Sequence, residues 1–238
     1  MKSDMYSKYA EQYDSAVQDN IYNAHFERPS MQAMLDDLSG KDVLDLGCGS
    51  GVYAEFLIKQ GASSITCIDA SEEMIKLVRH KLGDRVVSYT QDLSIGLPKE
   101  KSNSTDVIIC PLVLHYLQDL STLFDDVNRV LKPSGYMVFS THHPFADFEC
   151  STSGNYFECE LVKDIWDTVG TPVDVTFYRR SLTEIMTAIT NSGLVVSQLS
   201  EGIVSEKVKE LSLQHYEHLS NNPNFIFIKC QKLSLGDL

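Results

Sequence analysis

The sequence has six cysteines but no C-x-x-C pair; Cys48, Cys67, Cys110, Cys150, Cys159 and Cys230 are scattered along the chain. That spread fits reduced thiols rather than a disulfide framework, and no metal site is expected. Long apolar runs are also missing. The longest, Val107 to Leu114, is less than half a membrane-spanning helix and is interrupted by Pro111, so no membrane partner is expected. The first residues, Met1 to Val17, carry Lys2, Asp4, Lys8, Glu11 and Asp14 and lack the apolar core of a signal peptide, which makes the cytoplasm the expected location. Positive charge is scarce: 20 Lys and Arg face 33 Asp and Glu, for a formal net charge of -13. A phosphate backbone would be repelled at long range, and nucleic acid is a disfavoured partner.

What is present is a balanced globular composition, 43% hydrophobic and 22% charged over 238 residues, enough for one domain with a sizeable core. Short β-rich runs (Asp42 to Leu46, Ser64 to Ile68, Arg85 to Tyr89, Asp106 to Cys110, Tyr136 to Thr141) alternate with helical patterns at Val52 to Gln60, Glu72 to Leu82 and Leu120 to Leu131. Such alternation predicts a parallel sheet with covering helices joined by right-handed crossovers. Residues 142–180 break the pattern with aromatics, acids, Ser and Gly, and read as an insertion or lid. A helix at Leu182 to Ser192 and strands near Leu194 to Leu199 and Phe225 to Lys229 follow, separated by a second insertion over residues 201–223. Ser234 to Leu238 read as a frayed tail.

The most informative stretch is Val43-Leu44-Asp45-Leu46-Gly47-Cys48-Gly49-Ser50-Gly51, in which three alternate glycines follow a strand and precede a helix. Glycines let main-chain N–H groups approach a ligand closely. Asp69 closes the second strand, where an acid in nucleotide-binding βαβ units bonds a ribose diol. Loop and acid together imply a nucleoside. The dinucleotide fingerprint G-x-G-x-x-G fails, because Val52 stands where its third glycine belongs. Asp45 would repel a phosphate pair and suit an ammonium group, which favours an amino-acid-bearing nucleoside over NAD.

VLDLGCGSG at 43–51, Asp69-Ala70-Ser71, Gln91-Asp92-Leu93, Asp106 to Tyr116 and VLKPSGYMVFS at 130–140 occur in this order. In this the chain resembles the class I S-adenosylmethionine-dependent methyltransferases, the methyltransferase type 11 group of bacterial small-molecule enzymes, over about residues 5–141. The resemblance implies an α/β fold: a Rossmann-like, seven-stranded, mostly parallel sheet with helices on both faces and a last antiparallel strand. It implies a single methyltransferase domain over 1–238 with S-adenosylmethionine as cofactor and S-adenosylhomocysteine as product. By the same resemblance Gly47, Cys48, Gly49 and Gly51 form the loop against the methionine portion, Asp45 approaches its ammonium, and Asp69 takes the ribose hydroxyls. Ala70, Ser71 and Met74 flank the adenine, and Gln91, Asp92 and Leu93 read its edge.

At the carboxyl end of the fourth strand, Cys110 borders the transferable methyl. The [DN]-P-P-[YF] motif of nucleobase N-methylating enzymes is absent, and Cys110-Pro111 reverses the Pro-Cys order of cytosine C5-methylating ones. His115 and His143 are the candidate catalytic residues, because histidine titrates near neutrality. Of the adjacent His142 and His143 only one faces the ligand from an extended segment. A lid helix is expected over about residues 3–19, with Tyr6, Tyr9, Ala10, Tyr13 and Val17 on one face and Tyr13 covering the cofactor. His142, Tyr156, Trp166, Tyr178 and Arg179 are the candidate substrate residues, Arg179 or Arg180 as a ligand for an acceptor carboxylate or phosphate.

The expected reaction moves a methyl group to a small-molecule acceptor at oxygen, nitrogen or carbon. Alternatives are a carrier-protein-bound malonyl ester O-methyltransferase, a quinone-precursor C-methyltransferase, a catalytically silent S-adenosylmethionine-binding protein, and an NAD(P)-dependent oxidoreductase. A monomer or homodimer is expected.

Overall fold

The computed structural model describes residues 3–233, so the expected tail at Ser234 to Leu238 lies outside the described residues. The strands are β1 (Asp42–Leu46), β2 (Ser64–Asp69), β3 (Val87–Thr90), β4 (Thr105–Pro111), β5 (Leu131–His142), β6 (Glu160–Trp166), β7 (Val173–Arg179), β8 (Leu194–Ser200) and β9 (Phe225–Lys232). The helices are α1 (Ala10–Ala16), α2 (Arg28–Gln32), α3 (Val52–Lys59), α4 (Glu72–Leu82), α5 (Ser121–Val130), α6 (Pro144–Asp147), α7 (Leu182–Asn191), α8 (Glu206–Leu211) and α9 (Leu213–Asn221).

Seven strands form one sheet in the order β3-β2-β1-β4-β5-β9-β8, and β6 and β7 pair separately as an antiparallel hairpin. Strands β1 to β5 are parallel; β9 runs antiparallel to both of its neighbours. This is the expected Rossmann-like arrangement. The chain reverses its direction of sheet growth between β1 and β4, and that switch point opens a crevice at their carboxyl ends.

Pleating sorts β1 between two cores. Leu44 and Leu46 join Ile108, Phe139 and the helices α5 and α7 on one face, while Val43 joins Tyr53, Leu57, Ile75 and Phe26 on the other. Because side chains alternate, Asp45 falls on the Val43 side, toward α3 and the segment before α2. Helix α4 shows why the flanking elements form where they do. Ser71 Oγ accepts the Met74 N–H at its start, Glu72 and Glu73 fill the first turn, and Arg79 and Lys81 the last. Its buried stripe is Met74, Ile75, Val78 and Leu82. A capping serine of this kind contributes about 1 kcal/mol, and the charge placement complements the helix dipole.

Three segments differ from the sequence reading. The expected single lid helix is split into a short turn at Asp4–Tyr6 and helix α1. Ser3 accepts from the Met5 N–H and Ser7 Oγ donates back to the Ser3 carbonyl, so local side-chain bonds compete with helix continuation there. Within residues 142–180 the chain forms the β6–β7 hairpin, whose Val173 and Val175 bury against Met5 with Tyr13 and Trp166 alongside. Residues 201–223 contain α8 and α9, which bury Val208 and Leu219. No helix among the described residues is long and apolar enough to cross a membrane.

Candidate active site

The loop after β1 turns back over β2: the Gly47 and Cys48 N–H groups both donate to the Ile68 carbonyl, at 2.7 and 3.1 Å. Gly47 has φ +69° and a Cβ there would collide with the Val113 side chain, so the position is closed to any other residue on two grounds. Gly49, with φ +52°, has open space where its Cβ would stand and faces a cavity of about 190 Å³. Gly51 sits at φ +88° as the N-cap of α3, away from the cavity.

That cavity lies at the switch point. Gly47, Cys48, Gly49, Asp69, Ala70, Ser71, Asp92, Leu93 and Tyr13 all line it, so the structure brings together most of the residues expected around the cofactor. Asp69 is held from both sides: its Oδ2 accepts the Gly49 N–H at 2.9 Å and its Oδ1 the Ser71 N–H at 2.8 Å. Burial nevertheless pushes its carboxyl above the usual range, against those bonds. Asp92 is exposed at the far rim, where it caps the turn Leu93–Ile95 through the Ser94 N–H.

Asp45 lies beneath the loop. It is fully buried, and neither carboxylate oxygen has a hydrogen-bond partner among the described residues. Burial, then the charges of Asp69 and Glu27, push its carboxyl up to about 8. An unpaired buried carboxylate is expensive unless a cation compensates it. Across the cavity Arg28 lines the wall; its Nη2 donates to the Val17 carbonyl at 2.8 Å, while its buried Nε has no partner. An acid that wants a cation, an arginine that can take a carboxylate, and an acid with lone pairs for a diol match the ammonium, carboxylate and ribose of S-adenosylmethionine. The residues present therefore fit that group.

Five expected cofactor residues lie outside the cavity lining: Asp45 beneath the loop, Gly51 at the start of α3, and Met74, Gln91 and Cys110. Met74 is fully buried core on the inner face of α4, and Cys110 is fully buried with its thiol pushed up by burial. The alternation of β4 directs Cys110 into the α5 side of the sheet, and Pro111 borders the cavity in its place. Gln91 is buried and its Nε2 donates to the Gly96 carbonyl at 2.8 Å, holding the loop after β3.

The histidines separate. His143 is at the N-cap of α6: its Nδ1 accepts the Phe145 N–H at 3.1 Å and its Nε2 lies 3.1 Å from Glu201, and it lines neither cavity. Pro144 opens a helix after it, which is why a capping role prevails. His115 and His142 stack at 3.8 Å between ring centroids and border a second, much smaller cavity with Asp147, Tyr178 and Arg180. Burial, then His142 and Arg180, hold the His115 pKa well below its ordinary value. His142 Nδ1 is 3.2 Å from Asp147 Oδ1.

Of the remaining expected substrate residues, three are used up by the fold. Arg179 is 1% exposed, paired with Glu160 and bonded to Ser151 Oγ and the Asn155 carbonyl, so its charge is already spent on tying down the insertion. Tyr156 OH accepts the Leu182 N–H at 3.0 Å, and Trp166 Nε1 donates to Asp164 at 2.9 Å; neither lines a cavity. Arg180 donates to the Leu117 carbonyl and pairs with Glu184.

Further lining residues complete the cavity. Tyr6 OH and Tyr116 OH are 2.6 Å apart, and Tyr6 packs edge-on to Tyr13 at 4.9 Å, so three phenols roof the cavity. The roof is fastened twice: Ser71 Oγ donates to the Tyr6 carbonyl at 2.5 Å, and Asp14 receives Ser50 Oγ and Lys81 Nζ, each at 2.5 Å. Glu27 lines the wall beside Arg28. The spacing of Tyr6 and Tyr13 was a usable signal; for Glu27 and Tyr116, which sit in short irregular helices, no periodic pattern existed.

Comparison with known proteins agrees with this geometry. Residues 44–139 match the family model described as a methyltransferase domain. An uncharacterized protein of Haemophilus influenzae is 25% identical over 232 residues, covering 89% of each chain. The ubiquinone biosynthesis O-methyltransferase of Proteus mirabilis is 34% identical over 113 residues, 47% of this chain and 46% of that enzyme, so the likeness spans less than half of either. Among solved structures, an S-adenosylmethionine-dependent methyltransferase of Mesorhizobium loti superposes with a TM-score of 0.70 at 23% identity, over 92% of this chain and all of that one. The matched stretch carries the glycine loop and the strand-end acids: residues 44–139 are similar to a methyltransferase domain, and the chain shares the fold of an S-adenosylmethionine-dependent methyltransferase.

Proposed function

We propose that the chain methylates a small, ring-bearing, largely apolar acceptor, at a hydroxyl oxygen. The observation that carries this reading is the rest of the cavity lining: beside the glycine loop, Leu112, Val113, Leu117, Tyr6 and Tyr116 supply apolar and aromatic surface. A flat ring fits between such walls, and a strongly hydrated or highly charged acceptor does not. The named O-methyltransferase relative supports oxygen as the acceptor atom.

When bound, S-adenosylmethionine supplies an activated methyl and a neutral thioether leaving group. Gly47 and Gly49 set the depth of the methionine portion, Asp69 and Asp92 fix the nucleoside, and Arg28 takes the carboxylate. The Tyr6, Tyr13 and Tyr116 roof excludes water and presses the acceptor into line; alignment of this kind is worth up to roughly 7–11 kcal/mol. The His115–His142 stack borders the smaller neighbouring cavity rather than the one that would hold the acceptor, and would take up a proton only from that side. Asp147 holds His142 through Nδ1, which leaves His142 Nε2 as the basic atom, and His115 remains neutral.

We read the chain as one methyltransferase domain, with residues 3–17 as its lid and the 142–180 and 201–223 segments as substrate-side additions. The cytoplasm as location and a monomer or homodimer without nucleic-acid partners belong to the same proposal. The test is a labelled-methyl screen of phenols and catechols against amines, malonyl carrier esters and quinone precursors. Label in a phenol ether supports the reading. Label only in amines, carboxylate esters or ring carbon refutes the oxygen assignment, and label in none favours a silent binding protein.

A further inference from the structure

We propose that Glu27 is a second carboxylate for the ammonium end of the cofactor, and that Glu27 and Asp45 together release bound protons as that cation enters. The inference rests on the cofactor assignment and adds a residue and a linkage to it.

Glu27 stands in the irregular turn Asn23–Glu27 just before α2, is 2% exposed, and still borders the cavity. Two hydroxyls aim it: Tyr53 OH donates to Oε2 at 2.9 Å and Ser140 Oγ donates to Oε1 at 2.6 Å. Those donors come from α3 and β5, which are far apart in the sequence. Asp45, on the same side of the sheet, has no donor at all. One carboxylate is therefore oriented at the cavity wall, and the other lies bare and buried beneath the loop, close enough for their charges to act on each other.

The charges around this space do not balance. Asp45 comes from β1, Asp69 from β2 and Glu27 from the turn before α2, against Arg28 as the cation beside them. The phenols of Tyr13 and Tyr53, which face Glu27 from α1 and α3, hold their protons, since burial pushes both far up. Three buried acids with one arginine cannot all be ionised cheaply. Without cofactor the shortage is met by protons: burial pushes Glu27 up to about 7 and, with its acidic neighbours, Asp45 up to about 8. With cofactor, the ammonium supplies the missing charge and the carboxylates ionise. One carboxylate ionised balances the one ammonium gained, while the ligand's own carboxylate is met by Arg28.

The sign follows. Both pKa values are raised in the free protein and fall in the complex, so protons compete with the cofactor below about pH 8 and affinity rises with pH up to that point. One released proton corresponds to roughly tenfold in affinity per pH unit. Above about pH 8 the ligand's own amino group begins to lose its proton and the gain stops.

The experiment is calorimetric titration of S-adenosylhomocysteine into the purified full chain at pH 6 and pH 8, in pairs of buffers with different ionisation enthalpies, for the native protein, Glu27→Gln and Tyr53→Phe. The native protein is expected to release at least one proton per ligand at pH 6 and clearly fewer at pH 8, with affinity at least tenfold higher at pH 8. Glu27→Gln keeps the shape and is expected to lower proton release at pH 6 and flatten the pH dependence several-fold. Tyr53→Phe removes a bond that favours the ionised acid, and is expected to leave the release intact or raise it. Native binding without proton release, or Glu27→Gln with the native proton count and affinity, overturns the inference while the cofactor assignment stands. No binding at either pH overturns both.

Discussion

The glycine-loop half and the aromatic half of the crevice are made in different ways. The first is backbone: the Gly47 to Gly51 loop, the ends of β1 and β2, and N–H groups that hold Asp69. The second is side chain, with Tyr6, Tyr116 and Thr176 brought together from three distant parts of the sequence. The difference teaches which half can vary. A backbone-built half tolerates little change, because φ values and close approaches are fixed; a side-chain half can be reshaped residue by residue while the sheet beneath it stays the same.

The sharpest way to separate the halves is Arg179→Ala. Removing Arg179 should lower stability clearly, read by urea unfolding, because it deletes the partner of Glu160 and the bonds to Ser151 Oγ and the Asn155 carbonyl and empties a fully buried site. A loss below about 1 kcal/mol would mean that Arg179 is free to serve a ligand, as its sequence position first suggested. Next comes Asp69→Ala on the backbone side. Cofactor affinity should fall by about 1.5–3 kcal/mol, roughly 10- to 150-fold by calorimetry, with the loss of charge-assisted bonds to the ribose. Unchanged affinity would remove Asp69 from the site. The smallest effect is expected from Tyr6→Phe, which deletes the bond to Tyr116 OH. Stability should drop by about 0.5–1.5 kcal/mol, and exchange of the Met5 and Tyr6 backbone amides should quicken; a variant with native exchange would show that this contact does not hold the lid.

The same division explains what was readable from sequence. The backbone half was plain because its chemistry is local: glycines at fixed offsets after a strand, then an acid at the end of the next strand. Sheet order and crossovers followed from the alternation of short apolar runs. The errors were errors of side-chain direction. Cys110 and Met74 sit next to the site in sequence but point into core, because strand pleating and helix phase turned them inward. His143 precedes a proline that starts a helix, so its ring was taken by capping. The β6–β7 hairpin was visible only in β7, where Val173, Val175 and Phe177 alternate inward; β6 carries Lys163 and Asp164 and shows no clean period. Glu27 and Tyr116 depend on long-range packing, and nothing near them in sequence announces it.

The central claim is that this crevice is shaped for a sulfonium-bearing amino-acid nucleoside. The most direct measurement is native mass spectrometry of the freshly purified protein, with S-adenosylmethionine added to a second sample. The account predicts a mass increment of one S-adenosylmethionine or S-adenosylhomocysteine in the added sample, lost in Asp69→Ala at the same ligand concentration. A native spectrum without that increment at saturating ligand, or an increment that persists undiminished in Asp69→Ala, would contradict it.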